Sequence, residues 1–182
     1  MKNAETVTFG GSSLNRASEL RGSDKVIPRD GDLFIIHWRG KFAVDLNNSC
    51  EIALLRYPNK IISDEKILFL GKENDVAYFA SDISEWEPTD QEEIDGSFFD
   101  KTQQFHKFLG EHRPFWELRR FMNLVSNRSA ELAATAKSLF YWQNTSHFCS
   151  KCGHEVSITA SGWQINCKSC GSSTFPRIDP VA

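Results

Sequence analysis

Cys149-Ser150-Lys151-Cys152-Gly153 and Cys167-Lys168-Ser169-Cys170-Gly171 are two copies of one pattern, C-x2-C-G, in the last part of a 182-residue chain. A two-residue spacer lets both sulfurs of a tight turn face one ion. A glycine after the second cysteine allows the positive φ that aims backbone N–H groups at the thiolates. Each copy is half of a tetrahedron. The fourteen residues between them, 153–166, carry Val156, Ile158, Trp163 and Ile165 around Ser161-Gly162, enough for a short hairpin that joins the halves. The expected chemistry is a four-thiolate zinc site, one ion per chain, closed and therefore structural rather than Lewis-acidic. Four free thiols, two disulfides in an exported chain and redox chemistry of a C-x2-C pair are the competing readings. The segment Met1-Lys2-Asn3-Ala4-Glu5-Thr6-Val7-Thr8 lacks the apolar stretch of a secretory signal, so a reducing cytoplasm is the expected setting. His147 and His154 read as neighbours of the site, and Cys50 as a small core residue on a strand.

The elements that must hold this site differ along the chain. Residues 26–84 are β-rich: Asp32-Leu33-Phe34-Ile35-Ile36-His37-Trp38 and Lys41-Phe42-Ala43-Val44-Asp45-Leu46 flank Arg39-Gly40, which predicts a tight hairpin. Glu51-Ile52-Ala53-Leu54-Leu55 offers another strand, and residues 67–70 and 76–80 form a second hairpin around 71–75, together an antiparallel meander. Between residues 82 and 100, Glu85, Glu87, Asp90, Glu92, Glu93 and Asp95 read as a solvated acidic loop. The period then becomes helical: Phe105, Phe108 and Leu109 share a face, and Pro114 precedes Phe115, Leu118, Phe121, Met122 and Val125. Ser129 is the expected N-cap of a last helix with Glu131 in its first turn and Leu132, Ala133, Ala136, Leu139 and Phe140 as its stripe. The fold class is α+β: a mixed N-terminal domain with an antiparallel sheet and C-terminal helices, then a small four-cysteine zinc ribbon.

Balanced charge narrows the function. With 21 Lys and Arg against 24 Asp and Glu the net charge is −3, which argues against wholesale coating of nucleic acid. No apolar run nears the roughly 18 residues needed to cross a bilayer, so no membrane partner is expected. Lys101, Lys107, Arg113, Arg119, Arg120 and Arg128 outnumber Glu111 and Glu117, the pattern of a helix surface shown to water.

The residues around the cysteines carry a resemblance. Leu139-Phe140-Tyr141-Trp142, then Phe148-Cys149-x-x-Cys152-Gly153-His154, Gly162-Trp163, Cys167-x-x-Cys170-Gly171 and Phe175-Pro176-Arg177-Ile178-Asp179-Pro180 together resemble the NADH pyrophosphatase branch of the Nudix hydrolases. Leu14-Asn15-Arg16-Ala17-Ser18-Glu19-Leu20-Arg21 is similar to the start of that family's N-terminal domain. The resemblance implies residues 1–125 as a Nudix-like α/β domain, 126–145 as a connecting helix, 146–176 as the zinc ribbon and 177–182 as the start of a linker into a catalytic Nudix domain. It implies hydrolysis of NAD(H) to NMN(H) and AMP by the full-length protein, with NAD-capped RNA as a further substrate of some members. Mg²⁺ or Mn²⁺ would act on the following domain, and the assembly would be a homodimer, with Trp116 or Phe99 as candidate contacts. It also makes Phe175 a substrate-binding residue, stacking on a base; a core aromatic that anchors the ribbon to its neighbour is the other use of that position.

The carboxylate cluster that such a family uses to hold divalent ions has one local echo here, Glu92-Glu93-Ile94-Asp95-Gly96. It lacks the preceding arginine, its glycine spacing is off by one, and Pro88 interrupts the helix it would need. No catalytic residue is therefore assigned, and these 182 residues alone are expected to be inactive. The alternative is a free-standing zinc-ribbon adaptor for nucleic acid or protein, drawing on the mild excess of Lys151, Lys168 and Arg177 over Glu155 and Asp179.

Overall fold

Arg39 and Gly40 both sit at positive φ, 47° and 84°, the backbone that a two-residue hairpin turn requires. They join β1 (Leu33–Trp38) to β2 (Lys41–Asp45) in the expected place. A computed structural model describes residues 9, 11–22, 26–47, 49–88 and 104–176. The turn keeps only the pairs His37↔Phe42 and Trp38↔Lys41. Farther out, β2 pairs through Val44 and Asp45 with β3 (Glu51–Ile52), and β1 through Leu33 and Phe34 with β4 (Leu55–Arg56). The second hairpin, β5 (Ile67–Glu73) and β6 (Val76–Asp82), turns more tightly than expected, with Asn74 at φ 53°.

The two hairpins do not form a continuous antiparallel meander. β6 lies parallel to β1, from Leu33↔Tyr78 to His37↔Asp82, within a seven-stranded sheet whose main path is β3-β2-β1-β6-β5, two short strands pairing off that path. β1 is central and covered on both faces, so its run Leu33-Phe34-Ile35-Ile36-His37-Trp38 is almost uniformly buried; a strand apolar on both faces suits parallel pairing. One face joins Ile35, Phe42, Leu68 and Ala80 to Leu132, Ala133, Ala136, Leu139 and Phe140. Ile36, Trp38, Ala43 and Phe115 form a second cluster, and Phe34, Phe69 and Phe79 a third.

Three expectations about helices are corrected. Phe115–Glu117 is a strand, β7, paired with β2 through Ala43↔Phe115, Phe42↔Trp116 and Lys41↔Glu117. The open edge of β2 recruits these residues, and tertiary pairing overrides their helical spacing. Only α1 (Leu118–Phe121) is helical there, while residues 105–109 contain turns rather than a helix. The long helix α2 (Asn127–Thr145) starts one turn earlier than Ser129: the N-cap is Ser126, whose hydroxyl oxygen accepts from Ser129 N–H. Glu51 of β3 accepts from Ser126 N–H and Ser126 O–H, both at 2.9 Å, and supplies the negative charge that the first turn itself lacks. Glu131 instead lies buried against the Arg16 guanidinium and the Ser12 hydroxyl.

That contact belongs to the Leu14-Asn15-Arg16 motif. Asn15 and Lys72 exchange backbone hydrogen bonds at 3.2 and 2.8 Å, adding a bridge to the outer edge of β5. Gly71 makes room for it, since a Cβ there would stand 2.5 Å from Asn15 O.

His37 locks the first turn. Its Nε2 accepts from Gly40 N–H at 3.0 Å, which leaves the ring proton on Nδ1 to donate to Asp82 Oδ1 at 2.8 Å. Burial pushes Asp82 toward the neutral acid, but hydrogen bonds from His37 and Ser84 outweigh it and hold the carboxyl below its ordinary range. A depressed folded pKa means that this stabilisation is present above the unfolded value, near 3.9, and is lost as pH falls through the folded one. Asp82→Asn should therefore cost about 1–2 kcal/mol at pH 7, with the gap to the parent closing below about pH 4; urea melts at the two pH values check it.

Candidate metal centre

The ribbon begins where α2 ends. β8 (Val156–Thr159) and β9 (Gln164–Cys167) pair from Val156↔Cys167 to Thr159↔Gln164, and β10 (Ser173–Thr174) adds to the other side of β9. Each C-x2-C-G copy closes a tight knuckle: Gly153 N–H donates to Cys149 O at 2.8 Å, and Gly171 N–H to Cys167 O at 3.0 Å. Both glycines have the positive φ expected of them, 74° and 70°.

These turns bring the four sulfurs within 4.8 Å of one another, with Cys149 Sγ 3.7 Å from Cys170 Sγ and Cys152 Sγ 3.5 Å from Cys167 Sγ. A tetrahedron with Zn–S bonds of about 2.3 Å has sulfur separations of about 3.8 Å, so the group fits a structural zinc site. Its electrostatics fit as well. Backbone N–H groups of Lys151 and Cys152 draw the Cys149 thiol down to about 6, and that of Cys170, helped by Ser169, lowers Cys167. The His154 N–H acts in the same sense on Cys152, but the crowding thiols of Cys170, Cys167 and Cys149, with burial, push it up to about 12. Like charges this close resist joint ionisation, and a divalent cation relieves that resistance.

Among the described residues no other group of three or more His, Cys, Asp or Glu side chains lies close enough to hold an ion, and neither His147 nor His154 joins the four cysteines. His154 Nδ1 instead lies 3.2 Å from Cys152 O. Cys50 is half-buried, just ahead of β3, against the first core cluster. Phe175, one residue past β10, is 60% exposed. Glu85 and Glu87 pair with Lys66 and Arg39 on the surface, while Asp90, Glu92, Glu93 and Asp95 lie outside the described residues, as do Phe99, Lys101, Arg177, Ile178, Asp179 and Pro180. The basic residues expected on helices are dispersed: Arg113 pairs with Asp45 at 2.8 Å and Arg128 with Glu73 at 2.8 Å, and Arg120 lies 4.0 Å over Trp116.

Docking of the ribbon tip was not legible in the pattern. Ala160, Ser161 and Gly162 all take positive φ, and Gly162 presses so closely on β5 that a Cβ would stand 2.2 Å from Leu68 Cδ2. Trp163 Nε1–H donates to Phe69 O at 2.7 Å, Gln143 Nε2–H to Gly162 O at 2.8 Å, and Val26 N–H to Ser161 Oγ at 2.8 Å. The Arg21 guanidinium lies 3.6 Å from the Trp163 ring centroid. Burial first, and the charge of Arg16 next, lower its pKa to about 10, so it remains a cation at neutral pH.

Residues 29–142, from just before β1 to near the end of α2, match the family model of the NADH pyrophosphatase-like rudimentary NUDIX domain. The chain belongs to this family. It is also similar to "Nudix hydrolase 19, chloroplastic" of Arabidopsis thaliana, 28% identical over 131 residues that cover 66% of this chain and 26% of that protein. The chain thus spans about a quarter of the length of that relative. Among the described residues of this Nudix-like chain no helix is long and apolar enough to cross a membrane.

The centre yields a direct test. Cys152→Ser should lower bound zinc and cost the ribbon its cooperative melting. Gly153→Ala, where a Cβ meets open space but φ is 74°, should keep the metal and cost only about 1–2 kcal/mol. Native mass spectrometry beside thermal melts separates the two effects.

Proposed function

We propose that this chain is the N-terminal and zinc-ribbon portion of a NADH pyrophosphatase that hydrolyses NAD(H) to NMN(H) and AMP. The observation that carries the reading is the joining, in one chain, of a rudimentary Nudix sheet to a four-thiol ribbon docked on its β5 strand. In this reading residues 1–125 form the N-terminal domain, 126–145 the helix leading to the ribbon, and 146–176 the ribbon with one structural zinc. Residues 177–182 lead toward a Nudix domain whose carboxylates hold Mg²⁺ or Mn²⁺. The chain itself supplies dimer contacts and positions the dinucleotide, in a cytoplasmic setting that keeps the thiols reduced.

In this reading Phe175 is the residue of this chain that meets substrate. Its ring is exposed at the end of the ribbon sheet, free to stack on a purine or nicotinamide ring, and stacking on a base is worth about 1–3 kcal/mol. The test is Mg²⁺- or Mn²⁺-dependent release of AMP from NADH, measured for the 182 residues and for a protein extended through the Nudix domain. The expected result is turnover by the extended protein alone, with Phe175→Ala raising its KM about tenfold and leaving kcat nearly unchanged. Turnover by the 182 residues alone, or binding of RNA without hydrolysis by either form, would contradict the reading.

A further inference from the structure

The ribbon hairpin is held at both ends by different means. The cysteines close one end. At the other, Ser161, Gly162 and Trp163 meet β5, α2 and the N-terminal segment. β8 and β9 span the distance with four residues each, about 13 Å of strand. β10 adds only two residues to this hairpin, so the sheet is marginal on its own and each end limits the freedom the other must remove.

Part of the N-terminal segment shares the same contact. The single 3₁₀ turn Ser18–Arg21 has no side-chain cap and no buried residue of its own. Arg21 Nη2 donates to Arg16 O at 2.9 Å, but its Nε is buried without a hydrogen-bond partner. The guanidinium is therefore held by the face of Trp163 rather than by an anion, and five residues later Val26 N–H takes Ser161 Oγ. Residues 14–17 are tied to the sheet and α2 independently, by Leu14 and Ala17 in the core clusters, the Arg16–Glu131 pair and the Asn15–Lys72 bridge; the tip meets the segment farther on, at Arg21 and Val26.

We propose that Arg21, Ser161, Gly162 and Trp163 form a latch that couples the metal centre to the N-terminal segment, so that filling the four-thiol site orders Ser18–Arg21 and Val26 against the ribbon tip. The coupling is reciprocal: docking of the tip raises metal affinity by the factor with which the metal stabilises docking. This rests on the zinc reading of the cysteines, so zinc stoichiometry of the parent is measured first; a parent that binds no zinc ends that reading and leaves the latch contacts as a static seam.

The experiment compares zinc affinity, by competition with a chromophoric chelator, in the parent, Arg21→Met and Trp163→Phe, none of which touches a ligand. Hydrogen exchange is followed before and after metal removal. The expected result is about fivefold or greater loss of zinc affinity in each variant, and, on metal removal, loss of protection at the Trp163 indole and the Val26 amide while Phe34 and Phe79 amides stay protected. Unchanged affinity in both variants, or latch protection that survives metal removal, would overturn the coupling. Loss of protection throughout the sheet would overturn it as well, because the metal would then support the whole fold rather than the seam.

Discussion

Four sulfurs held 3.5 to 3.7 Å apart in pairs repel one another once ionised, and a dication at their centre converts that repulsion into bonding. The ribbon has little else to fold around. Of its described residues after α2, only Cys149, Ser161, Gly162, Ile165 and Cys167 are buried, far too small a core to offset the entropy of ordering the segment. Two of those five are sulfur donors and two more sit at the docked tip. The sheet at one end supplies part of what hydrophobic burial does not, and a metal held by the four cysteines would supply the rest at the other.

The Nudix-like sheet is built on the opposite principle. β1 and the strands beside it are covered on both faces, by α2 on one and by Phe115 with the segments around Ala53, Leu55 and Ile61 on the other. Polar groups that burial traps are paired rather than exposed: His37 with Asp82, Glu131 with Arg16, Asp32 with the N–H groups of Arg29 and Ala77. Such pairing fixes the register of a sheet that then offers β5 as a firm wall for Gly162 and Trp163. Against that wall the ribbon lays its tip, while Phe175, just past β10, stays exposed.

What could be read in advance was local. The Arg39-Gly40 turn, the apolar stripe of α2 and the two cysteine knuckles each depend on residues a few positions apart, and each lies where its spacing placed it. What could not be read was set by partners distant in the chain. Phe115–Glu117 has helical spacing, yet the open edge of β2 makes it a strand. Ser126 is the N-cap, its hydroxyl accepting from Ser129 N–H, and Glu51, 75 positions before Ser126, ties both serines to β3. Parallel pairing of β1 with β6 follows from both hairpins burying their inner strands, which no single window shows. The Gly162-Trp163 pair was visible as part of a motif, but its purpose became clear only against Leu68 and Phe69.

The central claim is that the four cysteines form one closed metal centre, and zinc X-ray absorption on the purified, reduced protein addresses it most directly. The account predicts a single shell of four sulfurs at about 2.3 Å with one zinc per chain. A shell containing nitrogen or oxygen, or sulfur ligands shared between chains, would contradict it.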